Sequence, residues 1–222
     1  MAGKSTTQTI SDTRINTMNQ QYMTTQELII SQISESVRVK EAALADETLR
    51  EGIRRAAEAC TEAYRKGRKT MFAGNGGSAA DAQHLAGEFV SRFYFDRPGL
   101  PSIALTTDTS ILTAIGNDYG YDKVFARQVQ AQGCEGDVFI GISTSGNSPN
   151  VVEAMEECRR KGITTVALTG AAPCKLDAAD IVIKAPSRET PRIQECHTLI
   201  GHIICCIVEQ EIFGAEYNKE NK

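Results

Sequence analysis

The stretch Phe72-Ala73-Gly74-Asn75-Gly76-Gly77-Ser78-Ala79-Ala80-Asp81-Ala82-Gln83-His84-Leu85-Ala86-Gly87-Glu88 constrains this chain more than any other. Lys69 to Ala73 reads as the end of a short strand. Gly74 to Gly77 can take backbone conformations closed to other residues, so a sharp turn is cheap there. Ser78 reads as the N-cap of the Ala-rich helix that follows. A strand, a glycine turn and a helix start together make an anion site, because free N–H groups and the positive helix end point into the turn. One turn further on, His84 and Glu88 stand at i and i+4 on one helix face. An imidazole and a carboxylate at that spacing can share a metal ion or divide acid and base work. Plainer readings stay open: a tight βα connection, and an ordinary surface pair. Gly74-x-Gly76-x-x-Ala79 also matches the looser dinucleotide fingerprint. No Gly-Lys-Ser/Thr follows, so this is not a P-loop.

The chain around that unit alternates. Met1 to about Asn19 is rich in Ser, Thr, Gln and Asn and reads as a loose tail. From Thr25, Leu28, Ile29, Ile33 and Val37 recur at helical spacing, with Thr24 or Thr25 as the cap. Glu47 to Lys66 is a second amphipathic helix, ended by Gly67. After Lys69, short strands are predicted at Ser102 to Leu105, Asp137 to Ile142, Thr164 to Leu168 and Ile181 to Ile183. Between them lie a helix from Asp108, broken at Gly116-Asn117-Asp118-Tyr119-Gly120, and helices over Val124 to Ala131 and Pro149 to Lys161. Strands alternating with helices imply right-handed βαβ units and a parallel sheet covered on both faces. Arg192 to about Phe213 closes the chain as a long helix. Leu199 to Val208 is apolar nearly all round and is expected to be buried on most sides. His197 and His202 lie in it, and a lone His there reads first as a core histidine.

With 222 residues the chain suits one large domain, or one domain with an added helical segment, and its net charge of −4 argues against nucleic acid as the main ligand. The seven cysteines are scattered and form no Cys-x-x-Cys pair. Buried reduced thiols in a cytoplasmic protein are the simplest account, and a thiolate zinc site is not expected. The N-terminus has no apolar signal core, and no run reads as long enough to span a bilayer.

A second loop, Ser143-Thr144-Ser145-Gly146-Asn147-Ser148-Pro149, follows the buried strand and opens a helix, with Pro149 at N1 and Ser148 at the N-cap. Hydroxyls and free N–H groups converge there and can bind a phosphate without a cation. With both loops in view, the chain resembles a sugar isomerase (SIS) domain, and more narrowly the phosphoheptose isomerases. The matching residues are Gly74-Asn-Gly-Gly-Ser78, Asp81-Ala-Gln-His84, Glu88, Arg97-Pro98, Gly116-Asn-Asp118, Gly136-Asp-Val138, Gly141-Ile-Ser-Thr-Ser-Gly-Asn-Ser148, Leu168-Thr-Gly170, and Arg192-Ile-Gln-Glu195 with His197 and His202. They cover about Asp46 to Phe213. The N-terminal tail is longer than that family leads one to expect.

The resemblance implies a three-layer α/β/α sandwich with a five-stranded parallel sheet, flavodoxin-like winding and an N-terminal helical arm. Read along the chain, the parts are a tail over 1–24, helices of an oligomer arm over 25–66, the SIS domain over 67–215 and a tail over 216–222. It implies isomerisation of sedoheptulose 7-phosphate to D-glycero-D-manno-heptose 7-phosphate, toward the heptose of lipopolysaccharide core. It also implies a cytoplasmic homotetramer with active sites between subunits, and no nucleotide cofactor, nucleic acid or membrane partner. Ser78, Ser143, Thr144, Ser145 and Ser148 would match phosphate and substrate contacts. Asn75, Gly76, Gly77, Asn117 and Asp118 would match sugar contacts, with Glu88 and Gln194 also on the substrate. His84, Glu88, Gln194 and His202 would match a zinc site, and Glu88 and His202 the catalytic pair.

The chemistry agrees from below. Moving a carbonyl between neighbouring carbons passes a proton through an enediol. One group serves the carbon proton and another the oxygens. Glutamine is a poor zinc ligand, so a weak zinc site is expected. The same fold also serves a non-enzymatic relative that associates with the bacterial replication initiator, and modules that only sense a sugar phosphate. In the initiator-associated relative the positions of Glu88 and His202 have lost their acid and imidazole. This chain keeps both, which favours the enzyme.

Overall fold

The computed structural model describes residues 23–220, and the side chains of all of these but 216 and 218–220. The loose tail expected over 1–24 lies outside the described residues but for Met23 and Thr24. The chain forms two compact units, Met1–Ser34 and Glu35–Lys222. What is described of the first is mainly the beginning of helix α1 (Thr25–Ala45). Thr24 starts it with a reciprocal capping box: Glu27 N–H donates to the Thr24 hydroxyl, and Thr24 N–H donates to the Glu27 carboxylate. Leu28, Ile29, Ile30, Ile33 and Val37 remain exposed along this helix.

The second unit carries α2 (Glu47–Arg65), β1 (Thr70–Gly74), α3 (Gly77–Val90), β2 (Ser102–Ala104), α4 (Thr109–Tyr119), α5 (Val124–Gln132), β3 (Val138–Ile142), α6 (Pro149–Arg160), β4 (Thr164–Thr169), β5 (Ile181–Lys184) and α7 (Thr190–Glu220). A short 3-10 turn, Tyr121–Lys123, joins α4 to α5. Asp46 and Asp108 cap α2 and α4 by accepting from Leu49 N–H and Ile111 N–H. The break in α4 expected at Gly116-Asn117-Asp118 does not occur. The helix runs on to Tyr119 and stops at Gly120, whose φ of +89° is what an L side chain resists. α7 runs past Phe213 to Glu220, and the Tyr217 ring stacks on Phe95 with centroids 4.3 Å apart.

All five strands are parallel, in the order β2-β1-β3-β4-β5. This is the flavodoxin-like winding, with its switch point between β1 and β3. Alternation along each strand divides the core in two. Phe72, Ile140, Leu168 and Ile183 meet α2, α3 and α7 on one face. Met71, Phe139, Ala167 and Val182 meet α5 and α6 on the other, with α4 partly packed against them. Three layers result.

The apolar stretch of α7 is buried on most sides, with Leu199 and Ile203 left exposed along one strip. Two expectations need correction. Thr190–Ala215 is also long and apolar enough, at a mean hydropathy of 1.4, to cross a membrane by length and composition. The same helix packs along α2 and α3 and carries buried His197 and Glu209, as a core helix of an α/β layer does. Buried thiols hold for Cys60, Cys158, Cys196 and Cys205, while Cys134 is exposed; all seven cysteines are free.

His197 is the core histidine. It is fully buried, and its Nε2 lies 3.1 Å from the Thr169 carbonyl at the end of β4. As that partner is an acceptor, Nε2 carries the hydrogen. Burial pushes its pKa down from 6.5 to about 4. Between these values the unfolded chain binds a proton that the folded chain refuses, so stability falls as pH drops through that window. The loss by pH 4 is expected to be about 3 kcal/mol. Urea unfolding at pH 7 and pH 4 measures it, and His197→Gln is expected to flatten this part of the pH dependence.

Candidate active site at the carboxyl ends of the strands

Parallel pairing aligns Gly74 of β1 with Ile142 of β3, so the two predicted anion loops leave the sheet side by side. The first turn is tighter than expected. Gly76, at φ +56°, takes the N-cap position, and Ser78 lies one residue inside the helix, buried, with its N–H on the Asn75 carbonyl. A Cβ on Gly74 would stand 2.6 Å from the Ser78 carbonyl oxygen, so only glycine lets the strand fold back this closely. In the second loop Ser148 does hold the N-cap position, but its hydroxyl turns to Ser143 Oγ at 3.0 Å instead of capping. Ser143 Oγ also accepts from Gly146 N–H, and Ser145 Oγ accepts from Asn147 N–H. Thr144 is half-buried, and its carbonyl accepts from Gly170 N–H at the end of β4. Hydroxyls of Ser143, Ser145 and Ser148 thus gather at the start of α6, where first-turn N–H groups lack helical partners.

The chemical groups come from α3 and α7. The Nε2 atoms of His84 and His202, 118 residues apart, stand 2.6 Å from each other. Glu88 Oε1 is 3.5 Å from His84 Nδ1. One donor atom from each of the three lies within 4.8 Å of the others. Two imidazoles and a carboxylate converging in this way are a donor set that suits a divalent ion. Gln194 lies on the same helix as His202, two turns before it; its amide rests over the first loop, 2.4 Å from where a Cβ on Gly77 would be. Asn117 and Asp118 are exposed in the last turn of α4 and hydrogen-bond to each other.

Sequence reasoning quoted Asp81 without giving it a role. Its carboxylate accepts from the Thr198 hydroxyl at 2.9 Å, which ties α3 to α7 a turn away from the imidazoles. Burial pushes the Asp81 carboxyl up, against the pull of Thr198 and of His84 and His202. The i, i+3 spacing of Asp81 and His84 was the available signal. Asn150 and Tyr121, which reach Asn75, carried no such signal.

What lets the two helices approach is Gly201, the residue before His202. A Cβ there would lie 2.5 Å from both methyls of Leu85, the residue after His84. Gly201→Val is therefore expected to push α7 off α3, at a cost of about 1–3 kcal/mol. Urea unfolding reads this, and Leu85→Ala in the same chain is expected to recover part of the lost stability.

The SIS domain family matches residues 35–170. The chain is 64% identical over 190 residues to a phosphoheptose isomerase of Aneurinibacillus thermoaerophilus, covering 85% of this chain and 96% of that one. It is 63% identical over 186 residues to phosphoheptose isomerase 2 of Campylobacter jejuni, covering 83% and 92%. Among solved structures, a phosphoheptose isomerase from Neisseria gonorrhoeae superposes with a TM-score of 0.79 at 43% identity, over 84% of this chain and all of that one. One from Francisella tularensis does so with a TM-score of 0.80 at 38% identity, over 85% and 100%. Identity at this level, across nearly the whole length of the relatives, makes the chain a member of the SIS-domain family and, within it, of the phosphoheptose isomerases.

Proposed function

We propose that this protein is the aldose–ketose isomerase that converts sedoheptulose 7-phosphate to D-glycero-D-manno-heptose 7-phosphate, supplying heptose for lipopolysaccharide core. The observation that carries this reading is the meeting of Glu88, His84 and His202 beside two loops built to hold an anion. Ser78, Ser143, Thr144, Ser145 and Ser148 take the phosphate through hydroxyl and backbone N–H donors. Asn75, Gly76, Gly77, Asn117, Asp118 and Gln194 face the sugar. A ketose with its carbonyl at C2 loses a proton from C1 while O2 gains one, giving the enediol. A proton then reaches C2 while O1 gives one up. Glu88 and His202 are the acid–base pair for these four transfers. His84, Glu88, Gln194 and His202 would hold a zinc ion, which when bound supplies Lewis acidity to the sugar oxygens. The initiator-associated and sensor readings leave the acid and the imidazole without work.

Glu88→Gln and His202→Gln are each expected to lower kcat about 10²–10⁴-fold. The double variant should be little worse than either, because the two groups act as a unit. Turnover of sedoheptulose 7-phosphate by the pure protein measures all three. Near-normal turnover by Glu88→Gln would remove the pair from the chemistry.

The protein works as a cytoplasmic homotetramer in this reading. Support comes from the apolar residues left open on α1 (Leu28, Ile29, Ile33, Val37) and on α7 (Leu199, Ile203). Light scattering at micromolar concentration is expected to give the mass of four chains; a monomer mass overturns the assembly.

A further inference from the structure

The amide of Asn75 is spoken for. Its Oδ1 accepts from Asn150 Nδ2 at 2.9 Å and from the Tyr121 hydroxyl at 3.2 Å. Its Nδ2 donates to Asn150 Oδ1 at 2.9 Å. A primary amide has two acceptor lone pairs and two N–H donors. Three of the four are used inside the protein, which leaves a single N–H for a ligand.

The partners sit where they can hold the site together. Asn75 is the first residue past β1, where ladder hydrogen bonds to β3 end at Gly74 and Ile142. Asn150 is in the first turn of α6, directly after the second loop, and is 2% exposed. The paired amides therefore bridge the two loops just beyond the reach of the sheet. Tyr121 comes from a third segment, the 3-10 turn between α4 and α5, launched by Gly120. Its ring is 61% exposed, yet its hydroxyl reaches inward to Asn75.

We propose that Asn75, Asn150 and Tyr121 form a strut that fixes the spacing of the two anion loops, with Asn150 and Tyr121 as positioning residues for the substrate. The proposal rests on the isomerase reading for its substrate, but not for its geometry. A part-buried pair of neutral amides, joined by two reciprocal hydrogen bonds, holds two loops that no ladder joins. Loops held in advance lose less order when the sugar phosphate binds, so the strut acts on affinity more than on the chemical step.

A double-mutant cycle tests this, with sedoheptulose 7-phosphate kinetics, calorimetry with inorganic phosphate and thermal unfolding read on each protein. Asn150→Ala is expected to raise KM and the phosphate Kd about threefold to tenfold, with kcat falling less than KM rises. Tyr121→Phe should shift both in the same direction by a smaller factor. Adding Asn150→Ala to Asn75→Ala should cost nothing further, because either change alone breaks the bridge. Multiplying effects in the double variant would mean that Asn75 and Asn150 act independently, and would overturn the strut. A lowered melting temperature with unchanged KM and phosphate affinity would overturn it as well. If the unsubstituted protein fails to turn over the heptose phosphate, the isomerase reading falls, while the phosphate affinities still decide the strut.

Discussion

Arg97 and Glu209 form an ion pair whose side chains are 2% and 0% exposed, and the seam between α3 and α7 depends on it. The Arg97 guanidinium donates to the carbonyls of Glu88 and Phe89, the open end of α3. Positive charge is favourable there, since the last carbonyls of a helix lack partners and carry its negative end. Glu209 of α7 accepts from Arg97 and from the N–H groups of Phe93 and Tyr94. A buried pair adds little over an apolar isostere, but removing one partner costs about 3–5 kcal/mol because the other is left charged and dry. What the pair provides is register. It anchors the backbone of Glu88 and sits two turns along α7 from His202.

Two further contacts complete that seam, and each works by a different means. Thr198 to Asp81 is a polar tie. Gly201 against Leu85 is a missing side chain that allows close approach. Packed interiors do not deform continuously, so these fixtures hold donor atoms from two helices within a few ångströms. The arrangement suits proton transfer, in which small displacements of an acid or base cost rate steeply.

The anion loops follow another logic. Among the described residues no lysine or arginine hydrogen-bonds to the hydroxyls of Ser143, Ser145 and Ser148, which pair with one another and with loop N–H groups instead. The sheet provides the adjacency, since β1 and β3 flank the switch point of the winding.

The alternation of strand and helix, the capped start at Thr24 and the two loops were legible along the chain, because each depends on neighbours within one or two turns. So was the pairing of His84 with Glu88, which share a helix face by spacing alone. The residue at which a turn or helix begins was less so: Gly76 replaced Ser78 as the N-cap because the close return over Gly74 favours a positive φ. Helix α4 outlasted its Gly-Asn-Asp segment because exposed polar residues in a last turn do not stop a helix without a reversal such as Gly120. That His202 meets His84 came from the family resemblance and not from spacing, and only the tertiary structure decided that Gly201 opens the way for it and that Tyr121 and Asn150 take up Asn75. Those contacts join segments far apart in the chain. Helical and strand periods say which way a side chain faces, and only the packing of one element on another says what it meets.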